Sequence, residues 1–372
     1  MQQLPFSFQE NVVFSLRALY NRYGYAQYKM SKFEEYDLYA RNKDFLISDS
    51  VITFMDTNGK LMAMKPDVTL SIVKNSKDTQ TLQKLYYNET VYRVSRSTHS
   101  YKELMQVGLE CLGNIDDYCI CEVLMLAGQS LQTISKDCIL DISNVGLLSD
   151  LMDAIGIPDS SKNALLKCIG EKNRHEMTAL CCSCGVAEEN ITLLNQVISA
   201  SGTPDAVLPR LQQLLSGIID TGAVDQLIRI TKALENSGIR DMLRFDLSVV
   251  DDIRYYNGIV FKGFIHTVPS SVLSGGQYDK LMQKMQKKSG AIGFAVYVDA
   301  LERLDRQQED YDIDTVVLYQ ESTPLSAIQA QVNILREAGR SVMVQRSLPE
   351  HIHCRQVLKF SGSEVEIFEN NA

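Results

Sequence analysis

Two adjacent tyrosines, Tyr255 and Tyr256, sit inside the run VVDDIRYYNGIVF (249–261), directly after Asp251, Asp252 and Arg254. Each ring offers an apolar wall and one hydroxyl that both donates and accepts. A pair at the mouth of a strand-like run therefore suits a pocket for a small polar ligand. The charges beside them leave two chemistries open, binding alone or catalysis. A second cluster, LCCSCG (180–185) with His175 nearby, has the residue types of a metal site. Its C-C-x-C spacing differs from the C-x2-C knuckle of structural zinc, so these cysteines read as plain thiols and no metal is expected. Gly275-Gly276, in SGGQYDKL (274–281), reads first as a turn and second as a place of close backbone approach to a ligand.

The elements that must position these residues follow from the hydrophobic pattern. Val12, Val13, Leu16, Leu19 and Tyr20 recur at helical spacing over 9–24, with Gly24 as C-cap. Two short β runs flank Asn58-Gly59, a strong hairpin signal, and Pro66-Asp67-Val68-Thr69 opens a helix with a capping residue. QKLYYNETVYRVS and KELMQVGLECLG read as an antiparallel pair joined by the polar RSTHS loop. From about 117 to 243 the pattern is a helical insert, interrupted by a strand-like CILDIS (138–143). β signals return at 245–265 and 291–298, and the polar stretch 305–312 is a linker. The tail, 313–372, reads strand, helix, strand and a last short strand, a small α/β domain. The expected architecture is an α+β domain over 1–304, an antiparallel sheet flanked by helices, followed by that appendage.

The totals narrow the function classes. A chain of 372 residues holds about two to three domains. A net charge of −9 is unsuited to broad nucleic-acid binding, which needs clustered Lys and Arg to displace phosphate counterions. Nine cysteines, an odd count, read as reduced thiols. The start, MQQLPFSFQENVVFSL, has no basic region followed by a continuous apolar core, and no stretch reaches the roughly 20 apolar residues of a membrane span. A cytoplasmic protein is expected, with no membrane association.

Five stretches together resemble the class II aminoacyl-tRNA synthetases, the histidyl type in particular. They are MKPDVT (64–69), YRVSRSTHSYKELMQVGLECLG (92–113), IRYYNGIVFKGF (253–264), SGGQYDKL (274–281) and AIGFAVYVDAL (291–301). The resemblance implies a class II synthetase-like fold over about 1–304 and a histidine-binding pocket. In it Asp67 holds the ligand's ammonium with Thr69 beside it, Gln106 and Glu110 follow the motif 2 loop, and Tyr255 and Tyr256 supply the tyrosine pair. Arg93, retained in motif 2, belongs to the same set. The chemistry is coherent. A neutral imidazole offers one donor and one acceptor, met by the Glu110 carboxylate on one side and a tyrosine hydroxyl on the other. The ammonium wants a carboxylate such as Asp67.

The departures point away from catalysis. Where histidyl synthetases carry a catalytic arginine, this chain has Asp251; Arg254, three residues on in an extended strand, points to the opposite face. The arginine that ends motif 3 is Ala300, Tyr297 replaces a small glycine, Ser95 replaces the ATP-reading glutamate, and Lys65 replaces the arginine before Pro66. Adenylation relies on positive charge at the reacting phosphate, and losing one such donor commonly costs ~10²–10³ in rate. Over 314–372, five basic residues face seven acidic ones, a poor platform for tRNA. A pocket kept without its chemistry is similar to the regulatory subunits of ATP phosphoribosyltransferase. That resemblance implies a non-catalytic chain needing no cofactor. Its partners would be the short catalytic subunit, L-histidine as feedback signal, and a second copy in a homodimer within a hetero-oligomer; nucleic acid is not expected. An active, diverged histidyl-tRNA synthetase and a synthetase-like module with an empty pocket are the alternatives.

Overall fold

The computed structural model describes residues 7–43, 51–95, 98–250, 255–305, 311–362 and 364–370. Asp251, Asp252 and Arg254, singled out above, lie outside the described residues. The chain divides into two units, one over Gln9–Glu302 and one built on Arg303–Ala372.

In the first unit, helix α1 (Phe8–Arg22) leads to β1 (Ala26–Gln27) and β2 (Phe33–Glu35). Then come α2 (Tyr36–Arg41), β3 (Thr53–Met55), β4 (Leu61–Met64) and α3 (Thr69–Asn75). Two long strands, β5 (Gln83–Val94) and β6 (Tyr101–Gly113), are followed by α4 (Asp117–Ile134) and β7 (Cys138–Asn144). Six helices follow: α5 (Val145–Ala154), α6 (Asp159–Gly170), α7 (Arg174–Ser183), α8 (Glu188–Ile198), α9 (Pro204–Leu215) and α10 (Gly222–Ala233). The two-residue β8 (Ser201–Gly202) separates α8 from α9. The unit closes with β9 (Leu243–Asp246), β10 (Ile259–Ile265), β11 (Leu273–Gln277), α11 (Asp279–Lys284) and β12 (Gly290–Tyr297).

Nine of these strands form one sheet, ordered β1-β5-β6-β12-β11-β10-β7-β9-β8. Most neighbours are antiparallel, but β1 runs parallel to β5 and β7 to β9. One face is covered by α1 and α4. Tyr20 of α1 donates to or accepts from Ser130 of α4 at 3.0 Å and meets Phe294 edge-on, and an added Cβ on Gly263 would sit 2.7 Å from Leu131. Residues one step along each strand, Gly293 and Lys262 among them, point to the other face, where the candidate site lies. A separate three-stranded sheet, β2-β4-β3, carries the Asn58-Gly59 hairpin. Its turn is longer than two residues: Asp56 N donates to Lys60 O at 2.9 Å, and of the two turn residues only Gly59 takes a positive φ.

Two expectations are corrected here. The span 117–243 is not one insert, because β7 lies between β10 and β9 in the central sheet and α4 packs on that sheet. β8 and β9, further along the same stretch, complete that sheet. Gly275-Gly276 is not a turn but the middle of β11, paired on both sides. A β-poor composition hid a strand whose neighbours demand the absence of side chains.

The second unit begins with α12 (Glu302–Asp305) at its boundary and contains β13 (Ile313–Leu318), α13 (Leu325–Glu337), β14 (Val342–Gln345), β15 (Cys354–Ser361) and β16 (Glu364–Asn370). Its sheet is ordered β14-β13-β15-β16, with β13 parallel to both neighbours and β16 antiparallel to β15. Ile328 and Leu335 of α13 pack on Val317, Leu358 and Phe360. The sequence pattern omitted β15, whose alternation is masked by the polar CRQ at its start.

Candidate ligand-binding site

The site is built on strand alternation. Gln106, Gly108 and Glu110 of β6 share one face of the sheet, opposite Glu89, Tyr87 and Leu85 of β5 and Tyr297, Ala295 and Gly293 of β12. Small residues here are a requirement of space. A Cβ on Gly293 would lie 1.7 Å from Glu110 Oε2, and one on Gly108 would lie 2.5 Å from the Tyr87 hydroxyl. Next along, a Cβ on Gly276 would fall 2.7 Å from the Tyr256 ring. The β11 glycine therefore clears room for the tyrosine pair as well as for any ligand.

α3 supplies the opposite wall. Asp67 Oδ1 accepts from Leu70 N at 2.8 Å, satisfying a first-turn amide and fixing the start of the helix. Thr69, the first helical residue, donates through Oγ1 to Glu110 Oε1 at 2.8 Å. Glu110 Oε2 accepts from the Tyr278 hydroxyl at 2.6 Å. Arg93 Nε donates to Pro66 O at 3.0 Å, placing its positive charge close enough to draw the Asp67 pKa down against the burial that raises it. Behind them Lys65, 1% exposed, forms a buried ion pair with Glu89.

Tyr255 and Tyr256 reach this cluster from the segment before β10. Their rings meet edge-on at 4.6 Å, and Tyr255 lies 5.9 Å from the Tyr278 ring. Burial first, then the charges of Asp67 and Glu110, push the Tyr255 phenol well up, partly offset by its bond to Thr69. Asn257 anchors the segment: its amide nitrogen donates to Asp279 Oδ2 at 3.0 Å, and its side-chain oxygen accepts from Asp279 N at 2.8 Å. Asp279 Oδ1 in turn accepts from Ala291 N at 2.8 Å, tying the tyrosines to β12.

The structure thus gathers Asp67, Thr69, Arg93, Glu110 and Tyr255 in direct contact or close electrostatic range. Gln106, 4% exposed, lies on the same face between Glu89 and Tyr297, and Tyr256 packs against Tyr255 and Gly276. Sequence reasoning missed Tyr278 as a site residue although it stood in the SGGQYDKL stretch; the signal was a hydroxyl placed three residues after Gly275. It also missed Glu89, which only the register with Gln106 reveals.

The electrostatics divide the carboxylates. Glu89 has Lys65, and Asp67 has Arg93 and a helix start. Glu110 has hydroxyl donors but no ion-pair partner among the described residues. Burial pushes its carboxyl up to about 8, partly offset by the Tyr278 and Thr69 hydrogen bonds and reinforced by Asp67. Such a group is held protonated near neutral pH, and an N–H donor or positive charge brought beside it would favour the ionised, strongly accepting form. Asp67, also buried and raised, suits an ammonium. The candidate site thus sets hydroxyl donors, Thr69 and Tyr278, beside two buried carboxyl groups, Glu110 and Asp67. Where the synthetase pattern has a glycine, the Tyr297 ring occupies the same face, its hydroxyl 2.5 Å from Ser274 Oγ. Asp299 spends Oδ2 on Met105 N at 2.6 Å.

Comparison with known proteins agrees with this fold. Residues 6–301 match the family model described as histidyl-tRNA synthetase. An ATP phosphoribosyltransferase regulatory subunit from Oceanobacillus iheyensis is 25% identical over 342 residues, 90% of this chain and 84% of that protein. Among solved structures, an ATP phosphoribosyltransferase regulatory subunit/histidyl-tRNA synthetase from Bacillus halodurans aligns with a TM-score of 0.77 at 22% identity, covering 95% of this chain and 93% of the other. A chain of the ATP phosphoribosyl transferase (HisG:HisZ) complex from Thermotoga maritima aligns at 0.62 and 20% identity, covering 79% and 98%.

Proposed function

The chain belongs to the histidyl-tRNA synthetase family, and on that premise we propose that it is a regulatory subunit of ATP phosphoribosyltransferase, binding L-histidine without activating it. The observation that carries this reading is the contrast within one pocket. The groups for a histidine side chain and ammonium converge, Glu110 with Tyr278 and Thr69, and Asp67 with Arg93. The two arginine positions of the adenylation chemistry hold Asp251 and Ala300. Tyr297 adds bulk beside Gln106, where a nucleotide would need space.

The partner follows from the relatives. The Thermotoga maritima neighbour is a chain of the ATP phosphoribosyl transferase (HisG:HisZ) complex, and its fold is shared by this one. We take the partner here to be the short catalytic subunit, joined with a homodimer of this chain in a hetero-oligomer in the cytoplasm. Histidine would then act by favouring an inhibited state of that assembly, two distinct sites linked by one coupling free energy.

Calorimetric titration with L-histidine tests the pocket. One saturable site per chain supports the reading; absence of heat and of any thermal shift at excess histidine removes it. Histidine-dependent exchange of pyrophosphate into ATP would instead revive the diverged synthetase. Reconstitution with a short catalytic subunit tests the partner, with activity appearing only when both chains are present.

A further inference from the structure

Outside the tyrosine pocket, the helical part of the first unit holds an open cavity of about 90 Å³, lined by residues of α6, α7, the α8–β8 junction and the end of β9. Its floor is apolar, with Ile169, Met177 and Ile198, and its rim carries Lys172, Arg174 and Ser201. That is room for a phosphate group and a short stretch of carbon skeleton, below the range of drug-sized ligand sites.

The rim is set by the turn between the two helices. Between α6 and α7 the chain turns through Lys172 at φ 54°, a left-handed conformation that residues with a Cβ adopt only at a cost. Asn173 N donates to Cys168 O at 2.8 Å, and the Asn173 side chain accepts from Glu176 N while donating to Glu176 Oε2, so the start of α7 is already satisfied. The left-handed Lys172 closes α6 at its other end: its N donates to Ile169 O at 3.0 Å while Asn173 N reaches Cys168 O, the two bonds of a Schellman cap. Its ammonium reaches Asp246 Oδ2 at 2.9 Å, and Asp246 Oδ1 is taken by the Ser248 amide and hydroxyl at 2.8 and 2.6 Å. Asp246 is therefore fully occupied. The Arg174 guanidinium has no hydrogen-bond or ion-pair partner among the described residues, and neither has the Ser201 hydroxyl; the Ser199 hydroxyl is spent on Asn195 O. Two cations against one carboxylate leave the lining net positive on a chain whose formal charge is −9. Behind it, Asp141 and Arg244 offset each other.

We propose that this cavity binds a phosphorylated small molecule, its phosphate on Arg174, Lys172 and Ser201 and its carbon skeleton on Ile169, Met177 and Ile198. A planar guanidinium with free donors beside an ammonium and a hydroxyl matches phosphate oxygens, and the apolar floor has no use for a bare ion.

Calorimetry on the full chain with phenyl phosphate and with inorganic phosphate tests this. Phenyl phosphate should bind one per chain and about tenfold tighter than inorganic phosphate, through the floor. Equal affinities would assign the site to free phosphate and overturn the skeleton contact. Arg174→Gln, an exposed change, should weaken both by at least about tenfold. Lys172→Gly should weaken binding while raising the thermal midpoint by about 1–3 °C, because it relieves the turn. A purely structural lysine would show a lowered midpoint and unchanged binding. Glu110→Gln in the tyrosine pocket should leave phosphate binding unchanged, so this site is judged apart from the histidine reading. No saturable heat with either probe, or affinity unaltered in Arg174→Gln, overturns the proposal.

Discussion

Glu110 concentrates the residue-scale chemistry. Its carboxyl titrates near 8 rather than at the ordinary 4.5, chiefly because it is buried without a cation. An acid with a raised folded-state pKa keeps its proton in the folded chain after the unfolded chain has lost it. Below about 4.5 both states are protonated and the group contributes nothing. From there to about 8, stability falls as pH rises, by up to ~1.4 kcal/mol per unit from this group alone. Glu110→Gln removes that titration. Urea unfolding should show the variant gaining on the wild type between pH 5 and pH 8, with nearly equal stability at pH 4.5. The same substitution removes the carboxyl proposed to accept the ligand's N–H once binding has ionised it, and histidine affinity should drop about tenfold or more. A Gln variant that is more stable at pH 8 yet blind to histidine is the signature of a binding group held at the expense of stability. Tyr278→Phe is the companion test: it removes the donor at 2.6 Å, should raise the Glu110 pKa further, and should weaken binding most at pH 7 and below.

The elements that carry these groups are joined by contacts remote from the ligand. α3, which bears Thr69, is short, and its C-terminal carbonyls are collected by one lysine. Lys287 donates to Val73 O, to Ser76 O at 2.5 Å and to Ser76 Oγ at 2.6 Å. Burial holds its pKa below the usual lysine range, which Asp78 partly restores. Because Lys287 follows α11 and α11 follows Tyr278, this clamp sets the spacing between the two hydroxyl donors to Glu110. Lys287→Met should destabilise the chain by about 1–3 kcal/mol in urea unfolding and lower histidine affinity without altering its pH dependence. Gly276→Ala tests the opposite wall, where a methyl would collide with Ile259 O and the Tyr256 ring, both 2.7 Å away. A cost of about 1–3 kcal/mol and weaker histidine binding are expected. The helix before Gly24, the β5–β6 pair and, β15 apart, the tail were legible in the sequence because periodicity and turn residues agree there. β11 was not, since glycine-rich pairing obeys the needs of neighbouring strands, which only the register discloses. The same holds for Glu89, a plain surface-like glutamate until the pairing sets it opposite Gln106.

At the scale of the whole molecule, every residue proposed to touch histidine lies within Gln9–Glu302, and the second unit has its own apolar clusters around Val317 and Val316. The motif order made that assignment readable from the sequence, because each stretch of the resemblance falls before residue 302. The role of the tail was not readable, since a small acidic α/β unit carries no residue pattern tied to one ligand. If the pocket is self-contained, a chain ending at Asp305 should still fold and bind histidine with an affinity within about threefold of the full chain. Ligand binding to the folded state alone raises stability by RT ln(1 + [L]/Kd), so both chains should gain about 2.7 kcal/mol at a hundredfold excess over Kd. The comparison separates two designs. Equal thermal shifts in both chains place the histidine response in the synthetase-like unit and leave the tail to serve assembly, which then fails on mixing the shortened chain with the catalytic subunit. A shortened chain that folds, by its circular dichroism and cooperative unfolding, but shows no shift would mean that the second unit completes the pocket.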